Sequence, residues 1–589
     1  MHKTIQKAIT TIQDIVIEYP VTKEVLCTLL INNQSKSVMK SIVIKLVLLP
    51  IFFLISIGNL CSQEALTSEQ WQADLDYLQK QVHENHSYLF KKIDQTTWDA
   101  EVDKLRAQIP SLAPHEVKVG LTRIVSLFEY GHTQVPFSTL AEEAVLPVNL
   151  YHFEDGIFIE GVQKENKNVL GAKLLKVGGM PLEKALQAIR PVVPVENDNF
   201  FKAYGLRFLT VPSVLHAQGV IPELSTSVTL TLEKEGKVFE HTFTAVPLKE
   251  LSRDYGFTIP NETWISARQQ NKTPLFLKEL NEKLYFFEYL PTSKMLYVRQ
   301  SSVFNDEKET LADFYKRLFA FIDANDIEKL VYDVRLNGGG NNYNNKPLIK
   351  GIMARPKINK KGTFFYIIGR NTFSACQNLT NEIENYTEAI IVGEPTSENK
   401  NFYGDAKRVT LPNSKINTYL SYAWWQDVPQ WENKDWTIPN IAVAMSFNDY
   451  VSNHDPVLEA ALNYTDSGFI LNPLQHLTQL FTEGNFAQLK TDATKIIQNK
   501  GYKYYDFEEE FGAAGYRLFS MGETEGGLFI LELVAENYPT STGALYSLAS
   551  AQEQVDQVEK AKENYKKILA IDPNGTLANT VKKRLEKLK

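Results

Sequence analysis

The pattern of apolar and polar residues changes three times along this chain. Residues 68–107 place apolar side chains at helical spacing, with Trp71, Leu75, Leu78 and Val82 on one face. Residues 146–248 alternate apolar and polar positions in short runs, which is typical of strands. From residue 284 strand-like and helix-like runs alternate, and from residue 466 the pattern is helical again. The chain is therefore predicted to be a multidomain α/β protein.

The segment from residue 284, where strand-like and helix-like runs alternate, gives the strongest prediction of topology. Helices are predicted over residues 310–324 and 346–353, between apolar runs at 295–300, 330–333 and 364–368. Such alternation indicates a central sheet with crossover helices. Sites in sheets of this kind lie beyond the carboxyl ends of the strands. Residues that follow the apolar runs are therefore the candidates for chemistry.

Composition argues against two classes of protein. The chain has 589 residues, 43% hydrophobic and 22% charged, and its net charge of −8 offers no electrostatic footprint for nucleic acid. The three cysteines, Cys27, Cys61 and Cys376, are too few for a disulfide framework and form no Cys/His cluster suited to zinc. We therefore expect no metal, no cofactor and no nucleic-acid partner.

The N-terminal region is predicted to direct export. Met39 and Lys40 precede an apolar run over residues 42–58, which has the form of a secretory signal peptide with cleavage near Ser62. Residues 1–38 would then be an extension upstream of a start at Met39. The run is also nearly long enough to be a membrane anchor, so membrane contact is expected only if it stays uncleaved. We predict an exported bacterial protein, periplasmic or extracellular.

Two apolar runs lead into residues suited to acyl transfer. The run 330–332 empties into three consecutive glycines, 338–340, where a bare backbone admits close approach. The run 364–368 is followed by Ser374 and by helix-compatible residues 375–384. Strand, sharp turn, serine and helix is how hydrolases present a nucleophile. The glycines alone could equally form a plain loop, and the serine could simply cap its helix.

Three motifs in this order resemble one known family. DVRLNGGG (333–340), NTFSA (371–375) and VGEPT (392–396) resemble the tail-specific, or C-terminal processing, serine peptidases, which share their core with tricorn protease and the interphotoreceptor retinoid-binding proteins. The resemblance covers about residues 71–462. It implies a crotonase-like ββα core and a metal-independent peptidase that acts through an acyl-enzyme on Ser374. The oxyanion donors would be the N–H of Ala375 and that of Gly339 or Gly340.

The family offers two bases. In its tricorn-like branch a Gly-His-Thr near the amino end supplies the catalytic histidine, and residues 131–133 match it, which makes His132 the base and Glu432 the group that orients it. The other branch uses a lysine at the position that Asn399 occupies here, so Lys400 is one residue late. We favour Ser374, His132 and Glu432, with Lys400 as the alternative base.

The remaining segments are predicted to bind or pack. The β-rich segment resembles a PDZ-like module, which could capture a peptide at a sheet edge. Pro539 and Pro573 lie 34 residues apart, the period of a tetratricopeptide repeat, and such repeats bind protein partners. The predicted divisions are 1–38 extension, 39–62 signal or anchor, 63–140 helical, 141–250 PDZ-like, 251–465 peptidase core and 466–589 tetratricopeptide-like.

Two rival functions stay open at this point. The fold also carries apolar ligands in the retinoid-binding relatives, so this chain could be a non-catalytic protein that binds an apolar ligand or a peptide. The C-terminal repeat could instead make the chain a scaffold for a partner. An intact Ser374 with His132 favours an exported serine endopeptidase that cleaves peptides or proteins.

Overall fold

Two sheets flanked by helices make up the mixed α/β architecture of the protein in its computed structural model. The structure describes residues 66–427, 436–465 and 468–588, and Thr67–Lys589 forms one compact unit. The predicted signal or anchor at 39–62 lies outside the described residues. Within them, no helix combines the length and the apolar character needed to cross a bilayer.

The first helices bury the face that the sequence pattern predicts. Thr67 caps the first helix with a capping box to Gln70, and Trp71, Leu75, Leu78 and Val82 are buried on it. Pro114 begins the third helix, at a position where its missing N–H costs nothing. The three helices are Ser68–Asn85 (α1), Gln95–Gln108 (α2) and Pro114–Ser126 (α3).

The β-rich region forms a seven-stranded antiparallel sheet. Its strands follow the order β1-β2-β3-β5-β6, with β4 paired to β3 and β9 to β2, while β7 and β8 form a separate small hairpin. The strands are Val148–Phe153 (β1), Gly156–Gln163 (β2), Lys173–Val177 (β3), Met180–Pro181 (β4), Ser227–Lys234 (β5), Lys237–Thr244 (β6), Arg253–Asp254 (β7), Phe257–Thr258 (β8) and Trp264–Ser266 (β9). Leu182–Ile189 (α4) and Pro212–Ala217 (α5) pack beside them, with short helical turns at Ser138–Ala141 and Asp198–Phe200.

The second sheet has six strands in the order β10-β11-β12-β13-β14-β17, parallel except for the first pair. It is buried on both faces by two apolar clusters, which explains its continuous apolar runs. Its strands are Tyr285–Leu290 (β10), Met295–Gln300 (β11), Lys329–Asp333 (β12), Phe364–Ile368 (β13), Ile390–Gly393 (β14) and Ile441–Ala442 (β17). The crossover helices are Leu311–Ala324 (α6), Lys346–Met353 (α7) and Ala375–Tyr386 (α8).

The parallel strands bring three loops to one edge of this sheet. β12 ends at Asp333, β13 at Ile368 and β14 at Gly393, and these strands are hydrogen-bonded neighbours. The loops that follow them carry the three sequence motifs. Residues far apart in the chain therefore meet where the sequence predicted a site.

A hairpin and further helices complete the described chain. Asn401–Thr410 (β15) and Asn417–Gln426 (β16) pair with each other, and Gln134 pairs with Tyr419 in both directions. Phe447–Val451 (α9) and Pro456–Leu462 (α10) follow. The C-terminal helices are Pro473–Thr482 (α11), Phe486–Gln498 (α12), Phe507–Ser520 (α13), Thr524–Asn537 (α14), Thr542–Gln554 (α15), Val558–Ile571 (α16) and Ala578–Lys587 (α17).

Candidate active site

Ser374 lies in a strained turn between β13 and α8. Its backbone has φ 56° and ψ −130°, a conformation that a residue with a side chain adopts only at a cost of about 1–3 kcal/mol. The turn projects the residue at the start of the helix, as in the strand-to-helix elbows of hydrolases. Strain of this kind persists only where the surroundings hold it.

Asn337 supplies much of that support. Its carbonyl accepts the N–H of Phe373 at 3.1 Å, its Oδ1 accepts the N–H of Gly339 at 2.9 Å, and its Nδ2 donates to the carbonyl of Gln300 at 3.0 Å. The side chain is fully buried. One residue therefore ties the glycine loop, the serine turn and β11 together.

Gly339 needs to be glycine because its backbone touches the serine turn. It has φ 97°, and a Cβ there would lie 2.6 Å from the Cβ of Ser374 and 2.9 Å from the N of Ala375. The neighbouring Gly338 would place a Cβ in open space. Gly340, with φ 147°, is tightly packed as well, but against Val303 and Phe304, so only Gly339 of the three glycines is held against the serine turn.

His132 approaches the site from the loop after α3. Its ring stacks on Phe373 at 4.7 Å between centroids and lies parallel to Phe402 at 6.3 Å. Nε2 is buried without a hydrogen bond and lies 3.5 Å from Oε1 of Glu398. Burial lowers the pKa of His132 to about 4, so the imidazole is neutral at pH 7. A neutral imidazole can accept a proton.

Glu398 is the carboxyl group that joins the two halves of the site. Its Oε2 accepts the backbone N–H of Ser374, and its Oε1 faces His132. The side chain is fully buried. Burial and the neighbouring Glu196 raise the pKa of Glu398 well above its usual value. The raised pKa favours the protonated form of this carboxyl group beside the neutral imidazole.

Glu196 forms a second layer behind this pair. Its Oε2 accepts the N–H of Gly131 at 2.9 Å, and its Oε1 accepts the N–H of Asn399 at 3.4 Å. These are the residues adjacent to His132 and Glu398. Glu196 therefore fixes the backbone on both sides of the pair, and its negative charge disfavours ionisation of Glu398.

The other predicted site residues are distributed as follows. The N–H of Ala375 opens α8 beside Ser374, while that of Gly339 is directed to Asn337. Lys400 forms an ion pair with Glu384 of α8, and among the described contacts it has none to Ser374. Glu432 lies outside the described residues.

Glu398 and Glu196 were not among the site residues predicted from the sequence. Residues 397–401 are all polar or charged, which favours exposure to solvent, but every one of them is buried. A run of five polar residues at the end of a fully apolar parallel strand was the available signal, because such loops are where sites form. For Glu196, which follows Pro194 and Val195 in another region of the chain, we find no comparable signal.

One group in the described residues has the composition of a metal site. His115, Glu116 and His216 place three potential ligand atoms within 4.8 Å of one another, half-buried on α3 and α5. His115 and His216 are hydrogen-bonded at 2.9 Å through Nε2 and Nδ1, and Glu116 caps α3 through the N–H of Ala113. The group includes none of the predicted site residues.

A cavity of about 1010 Å³ opens beside Glu196. Tyr130, Trp424 and Trp436 line it together with Lys91 and Lys92. Trp424 and Trp436 belong to a cluster of aromatic residues in the sequence, Tyr422, Trp424, Trp425, Trp431 and Trp436, and these two lie at the cavity wall. Trp431 lies outside the described residues.

Comparison with known proteins gives structural neighbours only. No protein-family profile matches the chain, and no curated protein matches it. Among solved structures, mature CPAF is similar over 69% of this chain and 100% of its own, with 13% identity and a TM-score of 0.48. A photosystem II D1 C-terminal processing protease is similar over 63% and 93%, with 12% identity and a TM-score of 0.32.

A chain from Parabacteroides merdae assigned as a peptidase is similar over 69% of this chain and 100% of its own, with 13% identity and a TM-score of 0.35. These neighbours are tail-specific peptidases. The resemblance that the three motifs indicated is confirmed at this level. With TM-scores below 0.5, the function proposed next rests on the geometry around Ser374.

Proposed function

We propose that this protein is a serine peptidase whose nucleophile is Ser374. The observation that carries the proposal is the strained turn at Ser374, held against Gly339 and bound through its N–H to a carboxyl group that faces His132. The site combines a strained backbone, a buried base and a buried carboxyl group, and each of these lowers the stability of the fold. A plain helix cap would begin α8 without any of them.

In the proposed reaction, Ser374 Oγ attacks the carbonyl carbon of a peptide bond. His132 takes the hydroxyl proton and gives it to the departing amine, and water then hydrolyses the acyl-enzyme. In the described contacts Ser374 Oγ has no hydrogen bond to His132. Such bonds are often formed only when substrate binds.

Glu398 is the orienting group that the geometry supports. An ionised Glu398 carboxylate, 3.5 Å from Nε2, would stabilise the imidazolium that forms when His132 takes the hydroxyl proton of Ser374. Glu432 stays a prediction for the same role. Comparison of the two variants, described in the Discussion, separates these assignments.

The oxyanion would be bound at the start of α8. The N–H of Ala375 lies at the positive end of that helix. Since the N–H of Gly339 is bound to Asn337, the second donor is Gly340, or Gly339 after the loop rearranges.

Labelling with a fluorophosphonate probe tests the nucleophile. We expect the parent chain to be labelled and Ser374→Ala and His132→Ala to lose labelling, with Lys400→Ala as the matched control that retains it. Persistent labelling in His132→Ala together with loss in Lys400→Ala would assign the lysine as base. A folded parent chain that takes no label would refute the proposal.

The resemblance to tail-specific peptidases also leads us to propose a core type, roles for the flanking regions and export. The order β10-β11-α6-β12-α7-β13-α8 supports a crotonase-like ββα core. We propose a PDZ-like role for residues 141–250, a tetratricopeptide-like partner-binding role for residues 466–589, and cleavage within peptide chains by an exported enzyme. N-terminal sequencing of protein recovered from the periplasm or medium tests export, with a start near residue 63 expected.

A further inference from the structure

A second cavity, of about 340 Å³, is lined in part by the glycine loop. Gly338 and Asn371 line it, so its wall includes neighbours of both Gly339 and Ser374. Tyr204, also in the lining, packs edge-on to Phe373 at 6.0 Å between ring centroids. The cavity is therefore adjacent to the turn that presents Ser374.

Positive side chains dominate this cavity. Lys202, Arg207, Arg253 and Arg370 line it, against one acidic residue, Asp254, which is exposed to solvent. Arg370 is already neutralised, because Glu394 accepts two hydrogen bonds from its guanidinium, at 3.1 and 2.7 Å. Lys202, Arg207 and Arg253 are the remaining positive side chains of the cavity.

Lys202, Arg207 and Arg253 are half-buried and form no ion pair in the part of the chain that the structure describes. No ion pair or side-chain hydrogen bond joins them to any residue in the described part of the chain, and Nε of Arg207 is buried without a partner. Both guanidinium groups lie over the ring of Phe137, at 4.5 Å for Arg207 and 5.7 Å for Arg253. An aromatic face compensates only part of the cost of removing a guanidinium from water.

The electrostatics of the cavity agree with this geometry. Burial lowers the pKa of Arg207 to about 10, with Arg253 as a further cause, and burial alone lowers that of Arg253 to about 10. Burial and the charge of Arg370 lower the pKa of Lys202. Glu394 and Asp198 partly offset this lowering for Lys202, whereas no carboxylate acts on Arg207 or Arg253 in this way. An anion bound in the cavity would stabilise the two arginines most.

We propose that the cavity between Lys202, Arg207 and Arg253 is a subsite for a carboxylate of the substrate peptide. This inference rests on the proposed peptidase function, because the ligand is the peptide that Ser374 attacks. Guanidinium groups bind carboxylates through paired hydrogen bonds. The carboxylate is either an aspartate or glutamate side chain of the peptide or its C-terminal group.

Binding can be measured without hydrolysis in the full chain carrying Ser374→Ala. Four fluorescein-labelled, alanine-rich decapeptides would differ only in Asp or Asn at one position and in a free or amidated C-terminus. We expect Arg207→Gln and Arg253→Gln to weaken binding of carboxylate-bearing peptides about 10- to 100-fold, the usual effect of losing a hydrogen bond to a charged group. The peptide with Asn and an amidated end should change less than about twofold.

The matched controls separate charge from folding. Arg207→Lys keeps the charge and should retain binding within about tenfold. Arg317→Gln removes an arginine of α6 that pairs with Glu309, and it should change nothing. Loss confined to the Asp peptides assigns the subsite to side chains, and loss confined to free C-termini assigns it to the peptide end. Equal loss for the neutral peptide, or no loss for any, overturns the subsite.

Failure of the subsite and failure of the peptidase function are distinguishable. Charge-dependent binding in a chain whose serine takes no fluorophosphonate would retain the subsite and refute the peptidase. If Ser374 is labelled but Arg207→Gln and Arg253→Gln leave the binding of every peptide unchanged, the peptidase function would be retained and the subsite refuted.

Discussion

Two groups of buried charge flank Ser374, and they differ in how they are satisfied. On one side, Glu398 and Glu196 accept backbone N–H groups of Ser374, Gly131 and Asn399. On the other side, Lys202, Arg207 and Arg253 line a cavity, and none of them forms an ion pair among the described residues. The carboxyl groups are bound by N–H groups of the chain itself, whereas the three cations form no ion pair with it.

This difference distinguishes positioning from recognition. A buried carboxyl group bound to backbone N–H groups holds those segments in place, because leaving any of them unpaired is costly. A cation that the fold leaves unpaired contributes nothing to stability until a ligand arrives. The two sides therefore predict opposite outcomes for mutation.

Replacing Glu398 should have the largest effect. Glu398→Gln keeps an acceptor for the N–H of Ser374 but removes the acid that faces His132, so we expect kcat to fall about 10²- to 10⁴-fold, as for the loss of an orienting carboxylate. Peptide hydrolysis and fluorophosphonate labelling rates measure it. Glu432→Gln is the matched control, and a loss confined to that variant would transfer the orienting role to Glu432.

Glu398→Gln should also change how the free energy of unfolding depends on pH. Because the pKa of Glu398 is raised, the folded chain keeps a proton that the unfolded chain releases, and the parent loses stability as pH rises above about 4.3, the usual glutamate value. Glu398→Gln should lack this part of the loss. Urea unfolding of both proteins between pH 5 and 8 measures it, and parallel curves would contradict the raised pKa.

Substitution of Gly339 tests whether its close contact with the serine turn is needed for activity and stability. Gly339→Ala adds a Cβ 2.6 Å from that of Ser374 at φ 97°, so we expect a 10²- to 10³-fold loss of labelling rate and about 1–3 kcal/mol less stability. Gly338→Ala has open space around its Cβ and should be nearly silent in both measurements. Equal effects at the two positions would show that only loop flexibility matters.

His132→Phe should change the response of stability to acid. The pKa of His132 is about 4 in the folded chain against about 6.5 when unfolded, so the parent loses stability as pH falls from 6.5 to 4. Phenylalanine preserves the stacking on Phe373 and cannot titrate. We expect the variant to lose about 1–2 kcal/mol less than the parent between pH 7 and 4.5 in chemical unfolding. A full loss in the variant would refute the lowered pKa.

Arg207→Met should have the smallest effect, and of opposite sign. Removing a half-buried cation without an acidic partner should leave the melting temperature unchanged or raise it by a few degrees, since about 1 kcal/mol shifts it by about 2–4 °C in a larger domain. Calorimetry of parent and variant measures this. A clear drop in melting temperature would identify Arg207 as a structural residue.

Much of the core could be predicted because local patterns determine it. The predicted helix over 346–353 coincides with α7, and the apolar run at 364–368 is β13, since a strand buried on both faces leaves a continuous apolar signal. The proximity of Ser374 to Gly339 followed from the rule that parallel strands end at one edge of a sheet.

What sequence could not provide was the burial of polar residues. Glu398 lies in a run that looks solvated, and only the packing of 396–401 against α8 and the loop of Glu196 makes it buried. The three unpaired cations come from separate segments, so no local pattern brings them together. Assignments that depend on long-range burial were therefore beyond reach.

The pairing of Gln134 with Tyr419, described with the hairpin, has a consequence for biosynthesis. His132 is translated early, but its loop is anchored by backbone hydrogen bonds of 2.9 and 2.8 Å to a strand made almost 300 residues later. A nascent chain that has not yet emerged beyond β16 lacks that anchor, and before residue 398 it also lacks the carboxyl group opposite the histidine. A site that contains both His132 and Ser374 would thus be complete only after β16 has been made, late in the synthesis of the core.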